Sequence, residues 1–446
     1  MCLRLRKCGT ENLLENWING CYHQTMSKLK FQPVKGTRDF YPEDMAFRNF
    51  LFGKMREVSK KFGYQEYEGP ILEPLELYSA KSGEDLVKKQ TFVLTDRGGR
   101  KLALRPEMTP SLARMVAQRE AKLPKPIRWF SIGPRFRYEQ PQKGRLREFY
   151  QWDIDILGSE VPEADAEIIA IACEFLKSIG LISKEVKIKV NDRVLMEQKL
   201  SLIEVPKGKI QEVFKAVDKK EKMAEEEWDK WLKEIGLTSL QVKDLKGILK
   251  DRDFSRESEK LTRIFSTLSD LGVSDFVEFD PNVVRGLDYY TGIVFEARDT
   301  KGRFRAILGG GRYDNLVEVV GGPKIAGTGF AAGDVVIEEV LKEYKKTPKI
   351  SSTITKVLVT IFDESTFRDS LKVTSLLRAN RVNTEIYPET ENLDKQLKYA
   401  DQKGIPYVVI IGPEEAKSNE VTLKDMKSGT QEKLSPKNLI SKLASP

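Results

Sequence analysis

Residues 136–156 read FRYEQPQKGRLREFYQWDIDI and bring guanidinium, carboxylate and aromatic groups into one short stretch around a Pro, Lys, Gly and Arg turn. Guanidinium groups fork onto phosphate oxygens through paired, charge-assisted hydrogen bonds, so phosphate recognition is the first chemistry to consider. The wider charge distribution points the same way. Residues 81–150 hold 17 Lys and Arg against 7 Asp and Glu, an excess of ten that is larger than the +8 net charge of the whole 446-residue chain. So local a field suits a phosphate-rich ligand, nucleotide or nucleic acid, because attraction to phosphates raises encounter rate and affinity. A solvated basic surface carries the same charge, so residue order must decide between them.

Other chemistries are excluded by scarcity. The single histidine, His23, lies in the leading segment, leaving no histidine base, Ser-His-Asp triad or histidine-ligated metal for the remainder of the chain. Cys2, Cys8 and Cys21 share that segment and Cys173 sits in an apolar helical stretch, so there is neither a disulfide framework nor a paired zinc-ligand spacing. Catalysis must rest on carboxylates, arginines, amides and tyrosines. Gly327, Gly329 and Gly333 of GTGFAAG miss the dinucleotide fingerprint by one residue, and no strand-first βαβ unit precedes them. The Gly309–Gly311 run is not followed by Gly-Lys-Ser or Gly-Lys-Thr, which argues against a phosphate-cradling P-loop.

These groups need elements to position them. Strand alternation puts Arg137 and Glu139, then Arg147, Phe149, Gln151, Asp153 and Asp155, on a polar face. The opposite face holds Phe136 and Tyr138, then Tyr150, Trp152, Ile154 and Ile156, and is expected to be core. A half-solvated antiparallel hairpin shows the same alternation. Phe47, Phe50, Leu51, Met55, Val58 and Phe62 recur at helical spacing over residues 42–62, with Gly63 as a stop. Residues 188–275 read mainly as polar amphipathic helices, an inserted helical subdomain without a site signature. A linker poor in large apolar residues is expected over 346–355. After it, strands at 356–362, 382–387 and 407–411 alternate with helices at 365–379 and 392–403, as in a small, mostly parallel sheet. Residues 1–25 fit neither period and precede a second methionine, Met26; they are expected to be an extension. No run of 18 or more apolar residues and no apolar leader block occurs, so a cytoplasmic protein without a membrane partner is expected.

With residue order added, the hairpin resembles motif 2 of the class II aminoacyl-tRNA synthetases, and its Pro-Gln-Lys-Gly-Arg loop resembles the histidyl-tRNA synthetase form. Other segments follow in that family's order. GTRDFYP (36–42) resembles its start, LRPEMTPSLAR (104–114) its amino-acid-binding segment, RGLDYYTG (285–292) and GGGRYDNL (309–316) its histidine motifs, and GTGFAAG (327–333) the glycine-rich part of motif 3. The resemblance implies an α+β fold: a mixed, largely antiparallel sheet flanked by helices over residues 26–345, and a C-terminal α/β anticodon-binding domain over 356–446. It implies the reaction of ATP, L-histidine and tRNA(His) to histidyl-tRNA, AMP and pyrophosphate. ATP would act as substrate with Mg²⁺, and no protein-bound structural metal is expected. A homodimer is implied, with GTRDFYP and the following helix at the subunit contact.

By the same resemblance Arg137 meets the α-phosphate, Glu139 the adenine amino group, Phe149 the adenine ring and Arg145 the outer phosphates. Arg285 lies near the attacked phosphorus. The histidine site takes Glu107, Met108, Thr109, Gln151 and Asp155, with Arg137 and Arg285 beside it and Tyr289, Tyr290 and Tyr313 shaping the imidazole slot. The tyrosines serve equally well as core residues with satisfied hydroxyls. Gln142, Lys143 and Arg147 face the tRNA acceptor end. The chain departs from the family at Gln140, where an arginine is frequent, at Asp155, a shorter carboxylate, and at Val336, where the motif 3 arginine aligns. Arg145, Arg312 or a lysine is then the candidate for the γ-phosphate. Residues 351–446 hold 14 Lys and Arg against 13 Asp and Glu, so shape and base contacts would dominate tRNA binding there. A non-catalytic paralogue regulating ATP phosphoribosyltransferase is the alternative, favoured by Val336 and opposed by Arg137, Arg285 and the C-terminal unit. A class II synthetase for proline or glycine is opposed by RGLDYYTG and GGGRYD.

Overall fold

The computed structural model describes residues 31–79, 90–351 and 353–444. The extension expected at 1–25 lies outside them. Its centre is an eight-stranded sheet of order β1-β5-β6-β11-β10-β9-β7-β8. The strands are β1 (Gln65–Glu66), β5 (Ile127–Phe136), β6 (Glu148–Leu157), β7 (Val186–Asp192), β8 (Val277–Phe279), β9 (Ile293–Asp299), β10 (Leu308–Arg312) and β11 (Gly327–Gly333). Pairing is parallel at the two edges, β1 with β5 and β7 with β8, and antiparallel between. A three-stranded antiparallel sheet, β2 (Leu72–Pro74), β4 (Lys101–Leu104) and β3 (Phe92–Thr95), stands apart from it.

The β5–β6 hairpin obeys the alternation on β6. Trp152, Ile154 and Ile156 face a core shared with the Pro42–Lys61 and Pro162–Ser178 helices. Trp152 packs edge-on to Phe330 with centroids 4.9 Å apart, lies 5.0 Å from Phe175, and donates its indole N–H to Ser59 Oγ at 3.1 Å. Both helices begin with proline at the first turn followed by acidic residues, which suits the free N–H groups and the positive dipole end. Two details of the reading need correction. Residues 137–147 lie outside the ladder as a projecting loop, closed by a bridge between Gln142 and Arg145. Tyr138 is 54% exposed instead of core; it packs edge-on to Phe92 and lies beneath the Arg147 guanidinium.

The helical stretch also begins later than residue 188, because Lys187 to Asp192 pair with β9 as part of β7. Five α-helices between Arg193 and Asp270 follow, and β8 returns the chain to the sheet edge. Near the C-terminus β12 (Val357–Val359) lies between β13 (Thr384–Ile386) and β14 (Tyr407–Ile410) in parallel. Two antiparallel strands absent from the sequence reading, β15 (Val421–Asp425) and β16 (Gln431–Leu434), extend that sheet.

Truncating the indole that joins both helices to the sheet should be costly. Trp152→Ala is expected to lower stability by about 3–5 kcal/mol, read as a reduced urea midpoint in equilibrium unfolding.

Candidate active site

A cavity of about 920 Å³ opens on the polar face of the main sheet. It is lined by Glu107, Thr109, Arg137, Glu139, Arg145, Phe149, Gln151, Asp155, Arg285, Tyr289, Tyr290 and Tyr313, twelve of the residues singled out from the sequence and drawn from four separated segments. Its volume is that of a cleft for a nucleotide-sized ligand. Met108 is the exception among the amino-acid-site candidates. It is fully buried in a second core with Leu112, Val116 and Leu316, because the turn that presents Glu107 and Thr109 to the cavity points the intervening side chain away. Gln142, Lys143 and Arg147 lie on the projecting loop outside the lining; Lys143 sits 5.1 Å from the Phe304 ring and Arg147 Nε donates to the Glu139 carbonyl at 3.1 Å.

One end of the cavity is acidic and phenolic. Tyr313 donates to Asp155 Oδ1 at 2.6 Å and Tyr289 donates to Glu107 Oε2 at 3.1 Å. The two rings meet edge to face with centroids 6.0 Å apart. Burial, with a smaller push from Asp153 and against the Tyr313 hydrogen bond, raises the Asp155 carboxyl to about 8. Burial and Asp155 push the Tyr313 hydroxyl well above its ordinary value, so it remains a donor. The tyrosines are therefore both core and lining: their rings belong to the second core, and the hydroxyls of Tyr289 and Tyr313 hold the carboxyl groups in place. Gln151 Oε1 is buried without a hydrogen-bond partner, an acceptor aimed at something other than the protein.

The other end is cationic. Arg137 lies 5.3 Å from the Phe149 ring and donates from Nε to the Pro106 carbonyl at 3.0 Å. Arg285 pairs with Glu296 of β9 at 2.7 Å, and Arg298 reaches the same carboxylate at 2.5 Å. Burial opposes the charge on Arg285, but Glu296, Tyr290 and Asp218 together outweigh it and hold the guanidinium protonated more firmly than usual. Arg285 has a φ of 56°, a left-handed conformation uncommon for a residue with a side chain. Its guanidinium occupies the space that a Cβ at Gly309 would fill, and Asp155 likewise occupies the space beside Gly329. Glycine at 309 and 329 thus lets a guanidinium and a carboxyl group lie directly on the sheet.

Several residues escaped the sequence reading. Glu296 is indistinguishable by type from any polar strand residue until β9 is known to run beside Gly309. Lys215, Asp218, Lys219, Glu221 and Lys222 of the helical segment form one wall, although that segment carries no motif. Arg312, a candidate for phosphate binding, is taken up structurally: it is 3% exposed, bonds Asp165 through Nε at 3.0 Å and Nη2 at 2.8 Å, and donates to the Ser159 carbonyl at 2.9 Å. Among the described residues no group of three histidine, cysteine or acidic side chains could hold a metal ion.

The family model for histidyl-tRNA synthetase matches residues 36–335, and that for an anticodon binding domain matches 356–445. The histidine--tRNA ligase of Leptospira biflexa is 40% identical over 416 residues, covering 91% of this chain and 95% of the relative. The chloroplastic/mitochondrial histidine--tRNA ligase of Arabidopsis thaliana is 37% identical over 414 residues, covering 91% and 85%. The crystal structure of histidyl-tRNA synthetase from Nostoc sp. PCC 7120 superposes with a TM-score of 0.79 at 26% identity, covering 93% of this chain and 99% of that one.

The Asp155 carboxyl ionises near 3.8 in an unfolded chain and near 8 in this fold, so its proton stabilises the fold fully below the lower value and that contribution is lost as pH rises through about 8. The melting temperature of the ligand-free protein is expected to decline across this window, and Asp155→Asn should decline less steeply. Parallel melting curves for the two proteins across the window would refute this titration.

Proposed function

The chain belongs to the histidyl-tRNA synthetase family, and on that premise we propose which residues carry out its reaction. It is an aminoacyl-tRNA ligase that activates L-histidine with ATP to histidyl-adenylate and transfers the histidyl group to tRNA(His). The histidine carboxylate, already ionised at neutral pH, attacks the α-phosphorus of ATP; the new phosphorus–oxygen bond forms as the bond to the β-phosphate oxygen breaks and pyrophosphate leaves. No proton has to be removed from the nucleophile, so the scarcity of histidine is no obstacle. Arg137 and Arg285 neutralise charge on the attacked phosphoryl group, Phe149 stacks on adenine, Glu139 accepts from its amino group, and Arg145 meets the outer phosphates. In the second half, a hydroxyl of the tRNA acceptor end attacks the carbonyl and AMP leaves.

The observation that carries this assignment is the meeting of Arg137 and Arg285 with Asp155, Glu107 and the unpartnered Gln151 acceptor around one cavity. Gln151, Glu107 and Thr109 receive the substrate ammonium, and Asp155 with the three tyrosines receives the imidazole. Polar groups left unpaired when a wrong side chain binds make such discrimination steep. Mg²⁺ would accompany ATP and supply charge neutralisation at its outer phosphates.

Gln142 and Lys143, both exposed, and Arg147 contact the acceptor end, and residues 356–445 contact the anticodon. Two copies form the enzyme through the 36–42 segment and its following helix; Tyr41 lies exposed there. No described helix is long and apolar enough to cross a membrane, and a cytoplasmic location is part of the proposal.

Histidine-dependent ATP–pyrophosphate exchange tests the assignment. Arg285→Ala should lower kcat/KM by roughly 10²-fold or more. Asp155→Asn should raise the histidine KM by about 10- to 100-fold while the ATP KM changes little. Absence of exchange in the unmodified protein would favour the regulatory paralogue instead. Lys143→Ala with Arg147→Ala should leave exchange intact and slow only transfer to tRNA, a split that equal losses in both assays would contradict.

A further inference from the structure

Five arginines line the cationic half of the cavity besides Arg305, and each has a partner. Arg145 pairs with Glu139 at 2.5 Å, Arg285 with Glu296 at 2.7 Å, Arg298 with Glu221 at 2.6 Å, and Arg303 with Glu343; Arg137 donates to a carbonyl. Arg305, in the connection from β9 to β10, lines the same cavity and makes no hydrogen bond or ion pair among the described residues. It is only partly exposed, and its charge acts on Arg145, whose proton affinity is lowered first by burial and then, against Glu139, by Arg305 and Arg137. Three guanidinium groups, those of Arg137, Arg145 and Arg305, therefore bear on a region whose paired carboxylate is Glu139. Like charges that outnumber their counter-charge in a partly desolvated cleft oppose one another, and a polyanion entering between them relieves that repulsion.

The local packing says which part of the ligand would arrive there. Around the Cβ position of Gly144, in the projecting loop, stand Val336 Cγ2 at 3.5 Å, a Glu339 oxygen at 3.6 Å and Arg305 Cδ at 4.0 Å. Gly144 N–H also donates to Glu339 at 3.2 Å. Arg305 thus comes from the β9–β10 side to the place where the loop bearing Arg145 meets the first turn of the Asp334–Glu343 helix. That turn offers Val336, an apolar side chain, to the cavity.

We propose that Arg305 binds the outer phosphates of ATP together with Arg145, supplying from the β9–β10 connection the cation that position 336 lacks. The inference rests on the ATP-binding reading above and adds a substrate contact to it. Arg305 touches the leaving pyrophosphate and neutralises charge there as the bond to the α-phosphorus breaks.

Arg305→Ala and Arg305→Lys in the full-length protein test this by exchange kinetics and by calorimetric binding of ATP, pyrophosphate and AMP. Arg305→Ala is expected to raise the ATP KM and weaken ATP and pyrophosphate binding by about 10- to 100-fold, with AMP affinity and the histidine KM within about threefold of the parent. Arg305→Lys should recover part of the loss because it restores charge without the planar fork. An unchanged ATP KM in Arg305→Ala, or AMP weakened as much as ATP, would overturn the proposal. An unmodified protein without histidine-dependent exchange would defeat the reading of the site itself, and the contrast between ATP and AMP binding would still decide the role of Arg305.

Discussion

Charged side chains can lie flat on the middle of a β-sheet only where the strands beneath them carry no side chain, and that constraint organises this protein. β10 and β11 read LGGGR and GTGFAAG, so the sheet at its centre is largely bare backbone. Arg285 rests where Gly309 has no Cβ, and Asp155 rests beside Gly329. Each of these groups then needs a partner, because a desolvated charge or polar group left alone is costly. Glu296 and the Tyr313 hydroxyl provide those partners from the neighbouring strand and from just beyond β10. The cavity exists because glycine vacates the space, and it keeps its shape because ion pairs and phenolic hydrogen bonds fix what fills its rim.

This dependence explains the arrangement of the remaining scaffold. A bare strand contributes little packing, so stability must come from the opposite face. There Trp152, Ile154 and Ile156 of β6 lock into the Pro42–Lys61 and Pro162–Ser178 helices. The same strand therefore carries the fold on one side and the substrate groups Gln151 and Asp155 on the other. Arg38 adds a tie between segments distant in sequence: it pairs with the buried Asp334 at 2.6 Å, and Asp334 in turn accepts from Tyr150 N–H at 2.9 Å. The start of the described chain, β6 and the helix after β11 are thereby held in one register at the cavity's edge.

What could be read in advance follows from the range of the interactions concerned. The helix over 42–62 and the two-faced β6 strand were legible because 3.6- and 2-residue periods are local. The residues of the hairpin, RGLDYYTG and GGGRYD were legible because their order is family-specific. Met108 was misplaced because residue order does not say which side chain of a turn looks inward. Tyr138 was misplaced because alternation stops where the ladder does, at Phe136 and Glu148. Glu296, Arg298 and Arg305 were invisible for a further reason: their meaning depends on which strands become neighbours, and β9 pairs with β7 only after the chain has formed the five intervening helices and returned. Arg312 shows the converse, a residue inside a recognised motif whose buried pair with Asp165 fixes the fold.

The distribution of counter-charges in and around the cavity also separates structural from substrate-directed arginines. Where a guanidinium is nearly enclosed and every nitrogen meets a fixed oxygen, as at Arg312, entry of a ligand would have to displace bonds already made, and exchange of one partner for another gains little. Where the guanidinium keeps an unpartnered nitrogen, as Arg285 Nε does, part of its bonding capacity is still available. Arg137 uses Nε on a neutral carbonyl and so retains its full charge for an anion. Arginines committed to the protein, such as Arg312 behind the cavity wall, thus stand beside arginines held in reserve within it, and a phosphate chain can be bound tightly only by the second kind. Orientation by the first kind and neutralisation by the second are separate demands, which is why the cluster needs more arginines than a single phosphate could contact.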